Sequence, residues 1–230
     1  MILYMVSIDT LSSKSDYIIG GAVMKVIIFG ASGSIGRNLV GQAIEQGHAV
    51  TAFVRDPAGF DMQHDKLSIA VGDVLDAASV QKAVAGQDAV MCAIGAGRKG
   101  GVRANGTRNI IAAMKATGVR RLICQSTLGI GDSWNNLNAF WKYLMFGLFI
   151  RPAYLDHVEQ EKLVRESDLD WSIGRPAAFT DGELTGEYRH GFPATVHDTR
   201  LEISRADVAD FMLKNLVDKT YLHKTPGLSY

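Results

Sequence analysis

From Met24 onward, short apolar runs alternate with stretches whose apolar positions recur at helical spacing. Lys25-Val26-Ile27-Ile28-Phe29 reads as a first strand. Beyond it, Ile35, Leu39, Val40, Ala43 and Ile44 share one helical face, and Gly47 stands where a left-handed C-terminal cap is expected. The strand pattern recurs at residues 49–54, 67–71, 89–94, 121–126 and 171–176. Helices are expected between these runs, over residues 77–84, 105–117 and 158–167. Ser204 caps a last helix whose inner face is Val208, Phe211, Met212 and Leu216, with Asp207 near its positive end. Six strands in this rhythm predict one α/β domain with a doubly wound parallel sheet.

The turn after the first strand carries the most chemistry. Gly30-Ala31-Ser32-Gly33-Ser34-Ile35-Gly36 joins a strand to a helix start, the context in which a glycine pattern becomes a dinucleotide site. Gly30 permits the tight turn, Gly33 lets the backbone approach a pyrophosphate, and Gly36 lets the helix pack on the strand. Unpaired amides and the helix dipole then face the phosphates. The fold class is therefore Rossmann-like, a single domain with a small substrate-pocket region. Ligands of such sheets lie beyond the carboxyl ends of the strands, which gathers Gly30 to Gly36, Arg55, Asp73, Ile94, Gly95, Ser126, Arg175 and Pro176 into one crevice.

Arg55 bears on the choice of dinucleotide. An acidic residue at the end of the second strand suits the 2′-hydroxyl of NAD, whereas Arg55, nineteen residues past Gly36, suits the 2′-phosphate of NADP. The alternative is a solvated strand-end charge paired with Asp56. NADPH is expected over NADH. Asp73 and Val74 are expected near the adenine, with Asp73 either accepting from its amino group or fixing the local turn.

Bulk properties narrow the partners. The 230 residues, 47% hydrophobic, suffice for one core, and 24 basic residues balance 24 acidic ones, so the charge gives no sign of a nucleic-acid surface. A small-molecule partner is expected and no metal is invoked. Cys92 and Cys124 fall inside apolar strands as small buried hydrophobes, which points to a reducing cytoplasm. No run is long enough to be a transmembrane segment. The nearest, residues 137–150, is broken by Asn138 and Lys142 and reads as a core or pocket-covering helix. Residues 1–23 read as an N-terminal extension, loosely attached, with the folded domain over 24–230.

Taken together, GASGSIG, the VRDP run at Val54, GDVLDAASV from Gly72, AVAGQDAV from Ala83, NIIAAMKATGV from Asn109, CQST from Cys124 and DGELTGEY from Asp181 resemble a known group. It is the atypical short-chain dehydrogenase/reductases with an NAD(P)-binding NmrA-like fold, in particular their biliverdin reductase B or flavin reductase branch. The resemblance implies hydride transfer from NAD(P)H to a planar acceptor such as a flavin, quinone or tetrapyrrole. It also implies that Ser126 faces nicotinamide and substrate, and that His157 matches a histidine in the segment before the next helix. One departure is that Arg175-Pro176-Ala177 stands where that branch has Pro-Pro-His. The expected cofactor contacts are Gly30, Ser32, Gly33, Ser34, Ile35, Gly36, Arg55, Asp73, Val74, Ile94, Gly95, Ser126, Pro176 and Ala177.

Ser126, Tyr154 and His157 are the catalytic candidates. Orthodox short-chain dehydrogenases pair their tyrosine with a lysine four residues on; Val158 occupies that position here, so Tyr154 reads as a pocket wall or donor. His157 has the chemistry to donate a proton near neutrality, against a structural role at a helix start. Trp134, Phe140, Trp141, Tyr143, Phe146 and Phe149 either line a pocket for a planar substrate or pack as an ordinary amphipathic helix. The alternative function is an NADP(H)-binding sensor or assembly factor with little turnover. A sugar-nucleotide epimerase is disfavoured by the absent lysine.

Overall fold

In the computed structural model, which describes residues 23–98 and 100–230, Lys25–Phe29 forms β1 and Ser34–Glu45 forms α1. There follow β2 (Ala49–Val54), β3 (Leu67–Val71), α2 (Ala77–Val84), β4 (Ala89–Cys92), α3 (Val102–Thr117), β5 (Arg121–Gln125), α4 (Arg151–Arg165) and β6 (Asp170–Pro176). Four short strands, β7 (Ala178–Thr180), β8 (Arg189–His190), β9 (Glu202–Ser204) and β10 (Gly227–Ser229), surround α5 (Arg205–Lys214). The main sheet runs β3-β2-β1-β4-β5-β6-β10-β8, parallel except at the β10–β8 edge, while β7 and β9 pair separately. The order reverses at β1, which lies between β2 and β4.

Alternation along β1 explains the layers. Val26 and Ile28 face the core under α1 and α5, with Leu39, Val40, Phe211 and Met212. Ile27 and Phe29 face the opposite core under α2, α3 and α4, with Val80, Ile110, Met114 and Val164. Both faces of the central strands are thereby covered, so these strands read as continuous apolar runs. Ser204 Oγ accepts from the Asp207 amide at 3.0 Å, the cap expected for the last helix. Gly47, at φ 90°, ends the chain's first helix in the left-handed conformation. Cys92 and Cys124 are buried opposite each other on β4 and β5.

Several boundaries differ from the sequence expectation. Helix α4 starts at Arg151, with Pro152 in its first turn, so Tyr154 and His157 lie on it and not before it. Helix α3 starts at Val102 behind Gly101, whose φ is 87°. The main sheet gains two strands beyond the expected six, because β8 and β10 are too short to show any period. Residues 137–150 take the pocket-covering role: Phe140–Phe149 is a π-helix in which Phe146, with Leu137 before it, is buried in the core while Phe140, Tyr143, Leu144, Leu148 and Phe149 are exposed. Among the described residues no helix is long and apolar enough to cross a membrane. Apart from Val23, the extension expected over residues 1–23 lies outside the described residues.

Candidate functional site

A cavity of about 440 Å³ opens at the carboxyl ends of the strands, where the sheet order reverses. Its floor comes from the phosphate turn and strand ends: Gly33, Ser34, Ile35, Ile94, Gly95, Ser126 and Ala177. Tyr154 and His157 of α4 form a wall, and Leu137, Trp141 and Phe146 cover it. Tyr154 packs on Phe146, ring centroids 5.0 Å apart, and edge-on to Trp134 at 5.8 Å.

The glycine turn is built as its sequence requires. Gly30 has φ 83°, and a Cβ there would overlap the carbonyl oxygen of Ala93. A Cβ on Gly36 would overlap the carbonyl oxygen of Gly30, so α1 can leave β1 this closely only with glycine at that position. The Gly33 amide closes the turn on Gly30 at 2.9 Å, and no side chain caps α1. Its first-turn amides and positive dipole end therefore point into the crevice. Arg205 adds a cation: its Nε donates to Ser34 Oγ at 3.0 Å while Nη1 pairs with Asp181 at 2.6 Å.

At the end of β5, Ser126 is fully buried, and its Oγ has no hydrogen-bond partner among the described residues. A buried hydroxyl left unpaired costs free energy unless a ligand completes it. The Ser126 amide is held by the Gly174 carbonyl at 2.8 Å, which fixes where the side chain stands.

His157 carried two readings, proton donor or structural residue. Burial, aided by the Arg103 charge, lowers its pKa to about 4, so the ring is neutral near pH 7, which weighs against the donor reading. Nδ1 lies 3.0 Å from Gln160 Oε1, and Gln160 Nε2 donates to Thr107 Oγ1 at 3.1 Å. Burial, together with the Glu161 charge, raises the pKa of Tyr154, which removes it further from proton transfer. Val158, four residues on, is exposed and supplies no cation.

Other expected residues fall outside the cavity lining. Gly30 and Gly36 act through the turn, Ser32 is exposed, and Pro176 serves through its carbonyl, which accepts from Leu128 at 2.8 Å. Asp73 Oδ1 accepts from the Leu75 amide at 2.9 Å, which is the turn role. Val74 is buried and packs against Gly106. Arg55 is exposed at the end of β2, as a solvated strand-end charge would be, and no ion pair joins it to Asp56, whose Oδ1 accepts from the Ala58 amide at 2.9 Å. Arg175 does not reach the crevice: it is buried against Glu161 and Asp132.

Side chains that the sequence did not single out complete the site. Asp156 accepts from the Arg103 and Ala104 amides, both at 3.0 Å, so a carboxylate from α4 caps α3. Arg98, Arg103, Gln125, Leu128, Phe179 and Leu201 also line the cavity. Gln160 carried one usable signal, its three-residue spacing from His157 on a helix.

A family described as NAD(P)H-binding matches residues 30–219, which span the glycine turn through α5. The chain belongs to the NAD(P)H-binding family. Its glycine turn, uncapped α1 terminus and orphaned Ser126 hydroxyl fit a pyridine dinucleotide. A UPF0659 protein of Saccharomyces cerevisiae is 28% identical over 209 residues, covering 84% of this chain and 87% of that protein. Uncharacterized mycobacterial relatives, 34% identical over 106 residues, are much longer; the chain spans 12% of their length. Among solved structures, a short-chain dehydrogenase/reductase of Veillonella parvula in complex with NADP superposes with a TM-score of 0.75 at 17% identity, covering 91% of this chain and 95% of that one. ChuY, an anaerobilin reductase of Escherichia coli, gives 0.74 at 23% identity, covering 89% and 96%. At these identities the two structures establish the fold that this NAD(P)H-binding chain shares with them.

Proposed function

We propose that this chain is an NADPH-dependent reductase that delivers hydride to a planar conjugated acceptor, such as a flavin, a quinone or a related conjugated carbonyl, in the manner of atypical short-chain dehydrogenase/reductases. The observation that carries the reading is Ser126: a fully buried hydroxyl without a partner among the described residues, on the cavity floor between the α1 terminus and an aromatic wall. When bound, the dinucleotide supplies the hydride. The chain's own task is to hold the two rings face to face and to exclude water.

In this reading Gly33, Ser34 and Ile35 hold the pyrophosphate, and Ser126 hydrogen-bonds a carbonyl of the nicotinamide or the acceptor. Tyr154, Phe146 and Trp141 supply apolar surface for the acceptor's ring. Arg55, exposed and without an ion pair among the described residues, supports NADPH over NADH because a guanidinium can engage the 2′-phosphate through paired donors. Burial raises the pKa of Tyr154 and lowers that of His157, so neither favours proton donation near neutrality, which suits an acceptor that takes its proton from water.

The same lack of acid–base equipment favours a second reading, an NADP(H)-binding sensor with little turnover. Following NADPH absorbance with a panel of flavins and quinones, beside calorimetric NADPH binding, separates the two. Turnover with the wild type and its loss in Ser126→Ala support the reductase; tight binding with no turnover across the panel overturns it for the sensor.

A further inference from the structure

We infer that His157 is a specificity-determining residue whose Nε2 accepts a hydrogen bond from a ring N–H of the acceptor, so that imide- or lactam-bearing rings are preferred over rings that offer carbonyls alone. This deepens the reductase reading and rests on it for the identity of the occupant.

Gln160 is wholly buried, and its Nε2 is committed to Thr107 Oγ1 at 3.1 Å, with Cys92 Sγ at 3.7 Å. The atom that Gln160 turns toward His157 Nδ1, at 3.0 Å, is accordingly its carbonyl Oε1. An amide oxygen only accepts, so Nδ1 carries the hydrogen. In a neutral imidazole the other nitrogen is then a lone-pair acceptor.

The ring lines the cavity, and its Nε2 has no hydrogen-bond partner among the described residues, which leaves that nitrogen for a ligand. The groups around the ring do not reverse this. Asp156 is occupied by the two amides at the start of α3, and Arg103 disfavours a second proton on the imidazole. A ligand carbonyl placed against Nε2 would meet lone pair against lone pair. A ligand N–H completes the network that begins at Thr107. The relay therefore works as a selection filter, and α3 and α4 hold it through buried contacts.

Two sources could present an N–H here, the acceptor's ring and the carboxamide of the nicotinamide; Tyr154, part of the cavity's aromatic surface, stands one turn before His157 on α4, which favours the acceptor. The test uses riboflavin and 3-methylriboflavin, which differ at one ring N–H, bound to the NADP⁺-loaded protein and read by quenching of flavin fluorescence. Wild type is expected to bind riboflavin at least about tenfold more tightly. His157→Phe, similar in size and lacking the acceptor, is expected to bring the two within about twofold by weakening riboflavin, with NADPH affinity unchanged.

Equal binding of the two flavins by wild type overturns the inference. So does discrimination that persists in His157→Phe, or a loss confined to NADPH. Should the variant not fold, ¹⁵N chemical shifts of His157 in the wild type decide the tautomer, and a hydrogen on Nε2 overturns the inference. Binding does not require turnover, so a protein that discriminates the flavins but reduces none would fail the reductase reading alone.

Discussion

Arg175 and Glu161 meet as a buried two-pronged ion pair, Nε to Oε1 at 2.9 Å and Nη2 to Oε2 at 2.7 Å. Their side chains are 1% and 3% exposed, and Asp132 adds a third contact at 2.6 Å. The pair ties β6 to α4, the helix that carries Tyr154 and His157, so Arg175 holds the cavity wall in place without touching the cavity.

Removing one partner strands the other charge in the core. Glu161→Gln is predicted to destabilise the fold by about 3 kcal/mol, measured by urea unfolding. An unchanged midpoint would mean that water reaches the guanidinium and that the pair is not an anchor.

Ser126→Ala is predicted to move stability and function in opposite directions. Its Oγ is buried and unpaired, so its loss should leave the ligand-free protein equal or more stable, by up to about 1 kcal/mol. NADPH oxidation with the best flavin or quinone should fall about tenfold. A clear loss of stability in thermal melts would instead assign Ser126 to the scaffold.

Arg55→Ala is predicted to weaken NADPH binding about tenfold while sparing NADH. Calorimetry with both nucleotides checks it, and an unchanged ratio removes Arg55 from the 2′-phosphate.

Gly33→Asp tests the phosphate turn without breaking it. A Cβ on Gly33 meets only the Gly30 carbonyl oxygen, at 3.1 Å, whereas a carboxylate there would face the pyrophosphate. NADPH affinity should drop about a hundredfold with thermal stability nearly retained; tight binding by the variant would place the phosphates elsewhere.

His157 predicts a pH dependence of stability. Its folded pKa, about 4, lies below its ordinary 6.5, so between these values the unfolded chain binds more protons than the folded one. Its neutral burial is fully compatible with folding above pH 6.5, and stability is lost as pH falls toward 4. The loss is on the order of 3 kcal/mol. Urea unfolding at several pH values, compared with His157→Phe, isolates it; identical profiles would show that the ring titrates normally.

The legible part of the site was its backbone part. Gly30 and Gly36 could be assigned from the strand, turn and helix order because a glycine requirement is local: it depends on φ and on atoms a few residues away. Ser126 was found by the same logic, as the residue where β5 stops. Side-chain roles were less legible. For His157 the sequence leaves a proton donor and a structural residue both open, because an ordinary histidine pKa is near neutrality, and its burial beside Arg103 weighs for the second. Arg175 looked like a crevice residue because it ends a strand, but the pleat turns it toward Glu161.

The sequence by itself determined the alternation of strands and helices, the phosphate turn and the absence of a lysine after Tyr154, since each follows from local period, backbone sterics or residue identity. Tertiary structure alone decided the eight-strand order, the cap that Asp156 places on α3 and the relay from Thr107 through Gln160 to His157. Those depend on which distant side chains share a buried space, and burial sets both hydrogen-bond partners and protonation, neither of which is written in spacing along the chain.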